Sequence, residues 1–176
     1  MTTWETRPII GSDCLQNRLG AVYGFLTKAS HSKGFLSDYE YLAKNIKTSA
    51  VQWQLSDYSI FVLPLVKFYE NSLWLLCREI GLFKLFNDDK EPSNLRRFLY
   101  SKKGEVDKFL LLKIINEHEA EKVSRQIYSA IDDYQKRNNA VHCKEVLAYS
   151  DLANYDSLLT VLKELTEVLL EKKLLP

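Results

Sequence analysis

None of the six glycines falls into a Walker-type or dinucleotide-type phosphate loop, which removes the common mononucleotide and Rossmann enzymes from consideration. Cysteine is scarce. Cys14, Cys77 and Cys143 are scattered and odd in number, without CxxC spacing, so the expectation is reduced thiols in a cytoplasmic protein. Three histidines far apart in the chain give a zinc site only weak support, and neither a metal nor a cofactor is expected. An excess of charge of one sign is also missing. With Lys+Arg 24 against Asp+Glu 23, contact with a nucleic acid has to come from a local basic patch. The start, Met-Thr-Thr-Trp-Glu, lacks a basic region followed by an apolar one, and the longest apolar run, Ile60 to Val66, is too short to cross a bilayer. A soluble, cytoplasmic chain with no membrane partner is the expectation. No segment alternates convincingly with period two, and no internal repeat or low-complexity tract occurs.

What remains is helix. At 176 residues, 46% hydrophobic and 27% charged, the chain has an ordinary globular composition and the length to bury one core. Leu15, Leu19, Val22 and Leu26 are spaced for a helix over about 14–28, with Ser30 to Gly34 as the following loop. Ser37-Asp38-Tyr39-Glu40 has the form of a capping box and predicts a helix start before Tyr39. Ser56 to Phe83 is apolar almost all round, as a helix packed on several sides must be. Pro64 should kink it or mark an early turn, and Gly81 could begin its end. Pro92-Ser93 suits the first turn of a short helix closed near Gly104. Further helices are predicted over about 105–115, 117–137 and 154–172. The fold class expected is all-α: an antiparallel helical bundle over 51–176, with residues 1–50 as accessory N-terminal helices.

The most informative segment is Arg137-Asn138-Asn139-Ala140-Val141-His142, at the end of the helix carrying Val123, Ile127, Ala130 and Tyr134. At about 100° per residue these apolar residues and Arg137 all fall within about 40° of Val123, which puts Arg137 on the core-facing side. Asn138-Asn139 tolerates left-handed backbone and could break the helix, turning His142 towards Arg137. A permanent cation beside a titratable imidazole can act on a phosphodiester without a metal. Arg96-Arg97 with Phe98, Tyr100 and Lys102-Lys103 forms a basic-aromatic patch of the kind that holds phosphates and stacks bases; it also suits a solvated helix end. Ser124 and Ser129 have no partner histidine in any recognisable arrangement.

This pattern resembles the HEPN superfamily of helical nucleotide-binding and ribonuclease domains, whose signature is R-x4-6-H at the end of a bundle helix. Arg137-Asn138-…-His142 matches it with four intervening residues and a polar residue after the arginine. A second match is Pro64-Leu65-Val66-Lys67-Phe68-Tyr69-Glu70-Asn71-Ser72-Leu73-Trp74-Leu75-Leu76, which looks like the central helix of the RNase LS type of HEPN toxin. A basic residue and a glutamate three apart contribute to the site there. Lys67, standing where arginine is expected, and Glu70 occupy those positions. Lys67, Glu70, Asn71 and Arg78 share the one polar stripe of this helix, which otherwise serves only as a solvated face. The likeness covers about residues 50 to 172.

The resemblance implies an endoribonuclease in which the RNA 2′-hydroxyl attacks the adjacent phosphate, leaving a 2′,3′-cyclic phosphate and a 5′-hydroxyl. It assigns catalysis to Arg137, His142 and Glu70, and RNA or phosphate binding to Asn138, Lys67 and Asn71. It further implies a homodimer whose two motifs meet across a two-fold interface, and an antitoxin protein as partner. Two rival readings stay open: a non-catalytic nucleotide-binding or partner-binding HEPN-like module, and a helical adaptor docking through its amphipathic C-terminal helix.

Overall fold

The computed structural model describes residues 15–53, 58–86, 94–141, 147 and 151–176, and the side chains within them except those of 46–53, 85, 86, 136, 137, 139–141 and 153. Every α-helix or 3-10 turn follows another, with no strand among the described residues. The order is α1 (Leu15–Leu19), a 3-10 turn (Gly20–Val22), α2 (Tyr23–Leu26), α3 (Ser32–Trp53), α4 (Ser59–Glu79), a 3-10 segment (Leu82–Phe86), α5 (Leu95–Ser101), α6 (Lys103–Lys113), α7 (Glu117–Val141), α8 (Leu152–Tyr155) and α9 (Ser157–Glu171). The protein is all-α.

Helix α4 is the axis. It packs on α3, α7, α8, α9 and the 3-10 segment, and it buries Phe61, Val62, Leu65, Val66, Phe68, Tyr69, Leu73, Leu75, Leu76 and Cys77. α4 is long and apolar enough to span a bilayer, yet 61% of its most apolar window is buried, as in the core helix of a soluble protein. Pro64 sits inside it without ending it. The carbonyl that loses its donor, that of Ile60, belongs to a residue 59% exposed, where water can serve it. The helix stops where expected. Gly81, just beyond the cap residue Ile80, has φ 88, the left-handed backbone that closes many helices.

The N-terminal region departs from expectation. The helix foreseen over about 14–28 is divided by Gly20, at φ 57, into α1, a 3-10 turn and α2. α3 begins at Ser32, five residues before the predicted capping box, so the real turn is shorter than Ser30 to Gly34. Glu40 does not cap α3; its carboxylate accepts from the Leu15 backbone N–H at 2.7 Å and fastens α1 to α3. The start of α3 is set by His31, at φ 62, whose carbonyl accepts from Phe35 N at 3.0 Å. One apolar cluster runs from Leu15 and Leu36 through α4 to Leu169, and α3 itself passes position 50. Arg18 reaches Asp156 at 2.5 Å, and Tyr39 donates to the same carboxylate at 3.4 Å, joining the N-terminal helices to the start of α9.

Helices α5 to α7 follow the predicted spans closely. Asn94 rather than Pro92-Ser93 caps α5, its side chain accepting from Arg97 N at 2.8 Å. α6 and α7 pack along one another across a three-residue connection, so the chain reverses there. The predicted C-terminal helix is two, α8 and α9. α7 runs four residues past Arg137, so Asn138-Asn139 does not break it. An asparagine ends a helix by turning its side chain onto the backbone. Asn138 Oδ1 makes no such bond.

Candidate functional site

The predicted site residues lie on two helices in direct contact, α4 and α7. Tyr69 of α4 is fully buried; its hydroxyl donates to the Ala130 carbonyl at 3.0 Å, and its ring stacks on Tyr134 at 6.4 Å. These contacts set the register between the helices. One residue on, Glu70 emerges from the buried face beside the Tyr134 hydroxyl. Burial first, then hydrogen bonding to Glu70 and its negative charge, hold the Tyr134 phenol well above its ordinary pKa. Lys67 Nζ approaches Glu70 Oε2 at 3.3 Å, one turn back on the same helix.

Asn138 follows Tyr134 by one helical turn, on the same side of α7. Its Oδ1 is enclosed and accepts no hydrogen bond. The side-chain oxygens of Ser32, Ser72 and Gln126 are likewise buried without a partner. Arg137 lies in the last turn but one of α7, with its side chain outside the described residues; His142 lies outside them altogether. Of the apolar residues that put Arg137 on the inner side, Val123, Ile127 and Ala130 are buried and Tyr134 is half-buried against the core.

Of the six predicted residues, Lys67 and Glu70 therefore meet, and Glu70 also reaches Tyr134 of α7. Asn71 points elsewhere. Its Nδ2 donates to the Ser30 carbonyl at 2.9 Å, which pins the turn before α3 against α4. The polar stripe is not simply a solvated face. Glu70, Asn71, Trp74 and Arg78, with Ser30 and His31 across from them, line a cleft of about 450 Å³. Reading the sequence missed Tyr134, which was placed among the apolar core residues, and His31, which was placed in a loop. The only signal for Tyr134 was its spacing of four from Asn138.

Part of the basic-aromatic patch is paired at the surface of the fold. Arg96 Nε donates to Asp132 Oδ1 at 3.1 Å, and the Tyr100 hydroxyl donates to Asp132 Oδ2 at 2.6 Å. The Arg96 guanidinium lies 4.9 Å over the Tyr100 ring, and Lys103 Nζ lies 5.3 Å over the Tyr128 ring. Phe98 packs edge-on against Phe83. Asp132 of α7 thus engages Arg96 and Tyr100, while Lys102 pairs with Glu105 on its own side. Ser124 donates to Asp107 at 2.5 Å, with no histidine involved. No group of three or more potential metal ligands gathers among the described residues. Comparison with protein-family models, with curated proteins and with solved structures returns no match for this chain.

Proposed function

We propose that this chain is a metal-independent endoribonuclease of the HEPN type, cytoplasmic and active as a homodimer, with its reaction centre where the C-terminal end of α7 faces Glu70 of α4. The observation that supports this most is the approach of Glu70 to Tyr134, one turn before Arg137-Asn138. It puts a carboxylate of α4 against α7, the helix on which the Arg-x4-His motif begins.

In this reading His142 exchanges the proton and Arg137 stabilises the non-bridging oxygens as charge builds on them. The 2′-oxygen forms a bond to phosphorus, the bond to the 5′-oxygen breaks, and that oxygen takes up a proton. The products are a 2′,3′-cyclic phosphate and a 5′-hydroxyl. Glu70 orients His142 or Arg137, or acts as the second proton carrier; Lys67 compensates its charge. Asn138 uses its enclosed oxygen or its amide on the phosphate or the arginine. Asn71, whose amide is bonded to Ser30, contributes to RNA binding through the cleft rather than at the scissile phosphate. A toxin of this kind would be restrained by an antitoxin covering the α4–α7 junction or spoiling the dimer.

The test is incubation with mixed RNA in EDTA beside an identically prepared His142→Ala variant, with the product ends read. Cleavage by the wild type alone, leaving cyclic-phosphate ends, is expected. Equal cleavage by both proteins, or none by either, overturns the reading.

A further inference from the structure

The hairpin of α6 and α7 carries more aliphatic surface than its own packing takes up. Val106 and Leu110 of α6, Ile114 of the connection, and Ala120 and Val123 of α7 are buried. Leu111, Leu112 and Ile115 are left over, 41%, 86% and 104% exposed. A single exposed aliphatic side chain is ordinary. Three within five positions, two of them almost wholly in water, form a patch of the kind that marks a protein contact.

Leu111 also lines a groove of about 260 Å³ between α6 and α7, and the charges of this groove are sorted along its length. The chain reverses between the two helices, so Lys103, at the start of α6, shares one end with Arg125 of α7. Glu121 and then Glu117 follow towards the connection, on the same stripe of α7 because they recur every four residues. Between the ends, Asp107 accepts from the Ser124 hydroxyl and is engaged within the fold. Among the described residues Glu117, Glu121 and Arg125 enter no ion pair, and Lys103 overlies the Tyr128 ring at 5.3 Å.

We propose that this face is an isologous interface: the groove and the aliphatic end of α6 pair with the same surface of a second copy of the chain. A two-fold axis crossing the groove reverses its direction in the copy. The basic end of each protomer then meets the acidic end of the other, and the surface is its own electrostatic complement in that orientation alone. In a parallel pairing like charges would meet. Leu111, Leu112 and Ile115 lie at the acidic end. In the pair they reach the basic end of the copy, where the methylene stems of lysine and arginine offer aliphatic surface. Burying them holds the pair together, and the charges set its direction. Arg137 lies twelve residues beyond Arg125 on α7, about 18 Å away, so this contact is separate from any dimer formed through the Arg-x4-His motif. The inference does not rest on the nuclease reading.

The test is sedimentation velocity of the whole chain over a concentration series. Wild type is compared with Glu117→Lys/Glu121→Lys, with Lys103→Glu/Arg125→Glu, and with an equimolar mixture of the two variants, each with a thermal melt. All four positions are exposed, so both variants should melt close to wild type. Wild type is expected to associate in pairs, and each variant about tenfold or more weakly, since it meets its own copy with like charges. The mixture should pair again, because a basic groove then faces an acidic one. Unspecific apolar association cannot produce that rescue. A monomeric wild type, association that neither reversal weakens, or a mixture that stays apart overturns the proposal. A two-chain particle that withstands both reversals is held through another face, so this inference falls while the nuclease dimer stands. Pairing that follows the charges, without RNA cleavage by the wild type, sinks the nuclease alone.

Discussion

Glu70→Gln separates a catalytic carboxylate from a structural one, because the two roles differ in size. The change keeps the shape and the acceptor oxygen that faces Tyr134, and it removes the charge. Two interactions weaken. The pair with Lys67 joins side chains 41% and 29% exposed, and a pair in contact with water contributes about 0–1 kcal/mol. The Tyr134 interaction goes from a charged to a neutral acceptor, a loss of about 1 kcal/mol. The total stays near 2 kcal/mol, a fall in melting temperature of about 4–8 °C for a chain of this length. A domain stable by about 5–15 kcal/mol stays folded at 25 °C after that loss. If Glu70 orients the motif or moves a proton, cleavage should drop about 10²–10⁴-fold, far beyond what the stability change can produce. Single-turnover RNA cleavage and a thermal melt on the same preparation measure both quantities. A melt lowered by several degrees with undiminished cleavage would show Glu70 to be a fastening between α4 and α7, and would remove it from the mechanism.

Three other outcomes follow from the packing. Burial, the largest cause, holds the phenols of Tyr39 and Tyr128 above their ordinary pKa. Their protonated forms stabilise the fold fully below about pH 10; above it the unfolded chain ionises first, so stability should fall by up to about 1.4 kcal/mol per pH unit for each, seen as a steep drop in melting temperature. An unchanged melt from pH 9 to 11 would contradict this. The Cys77 thiol is buried and pushed up to about 12, so a thiol reagent at neutral pH should label it only at the rate of unfolding, and labelling as fast as that of a denatured sample would refute its burial. Asp156→Ala strands Arg18 and Tyr39 together and should cost about 1–3 kcal/mol, measured by denaturant titration, whereas a loss below about 0.5 kcal/mol would make the link between α1 and α9 dispensable.

What could be read from the chain was set by periodicity. The apolar repeat on α7 gave Val123, Ile127 and Ala130 as buried, and the near-continuous apolar face of α4 marked it as the central helix. Local polar chemistry misled where a distant partner claimed the side chain. Glu40 looked like one half of a capping box, but the backbone of Leu15, 25 residues away, takes its carboxylate. Arg96 looked available to a phosphate, but Asp132 sits against it from α7. Asn138 looked like a helix breaker, but α7 continues past it and its Oδ1 is buried without bonding to the backbone. The first two errors have one form: a short motif carries a default local partner, and tertiary packing replaces it with a remote one.

The same reasoning explains why Glu70 matters more than its motif suggested. A lysine and a glutamate three apart on a helix surface are ordinary, and alone they carry little energy. Here the glutamate follows directly on Tyr69, whose buried ring and its hydrogen bond to Ala130 fix the rotation of α4 against α7. Rotating α4 to release Glu70 would break that bond and unstack the two tyrosines. The carboxylate is therefore held at the junction by core packing rather than by its own ion pair. It faces the α7 segment on one side and the His31–Arg78 cleft on the other.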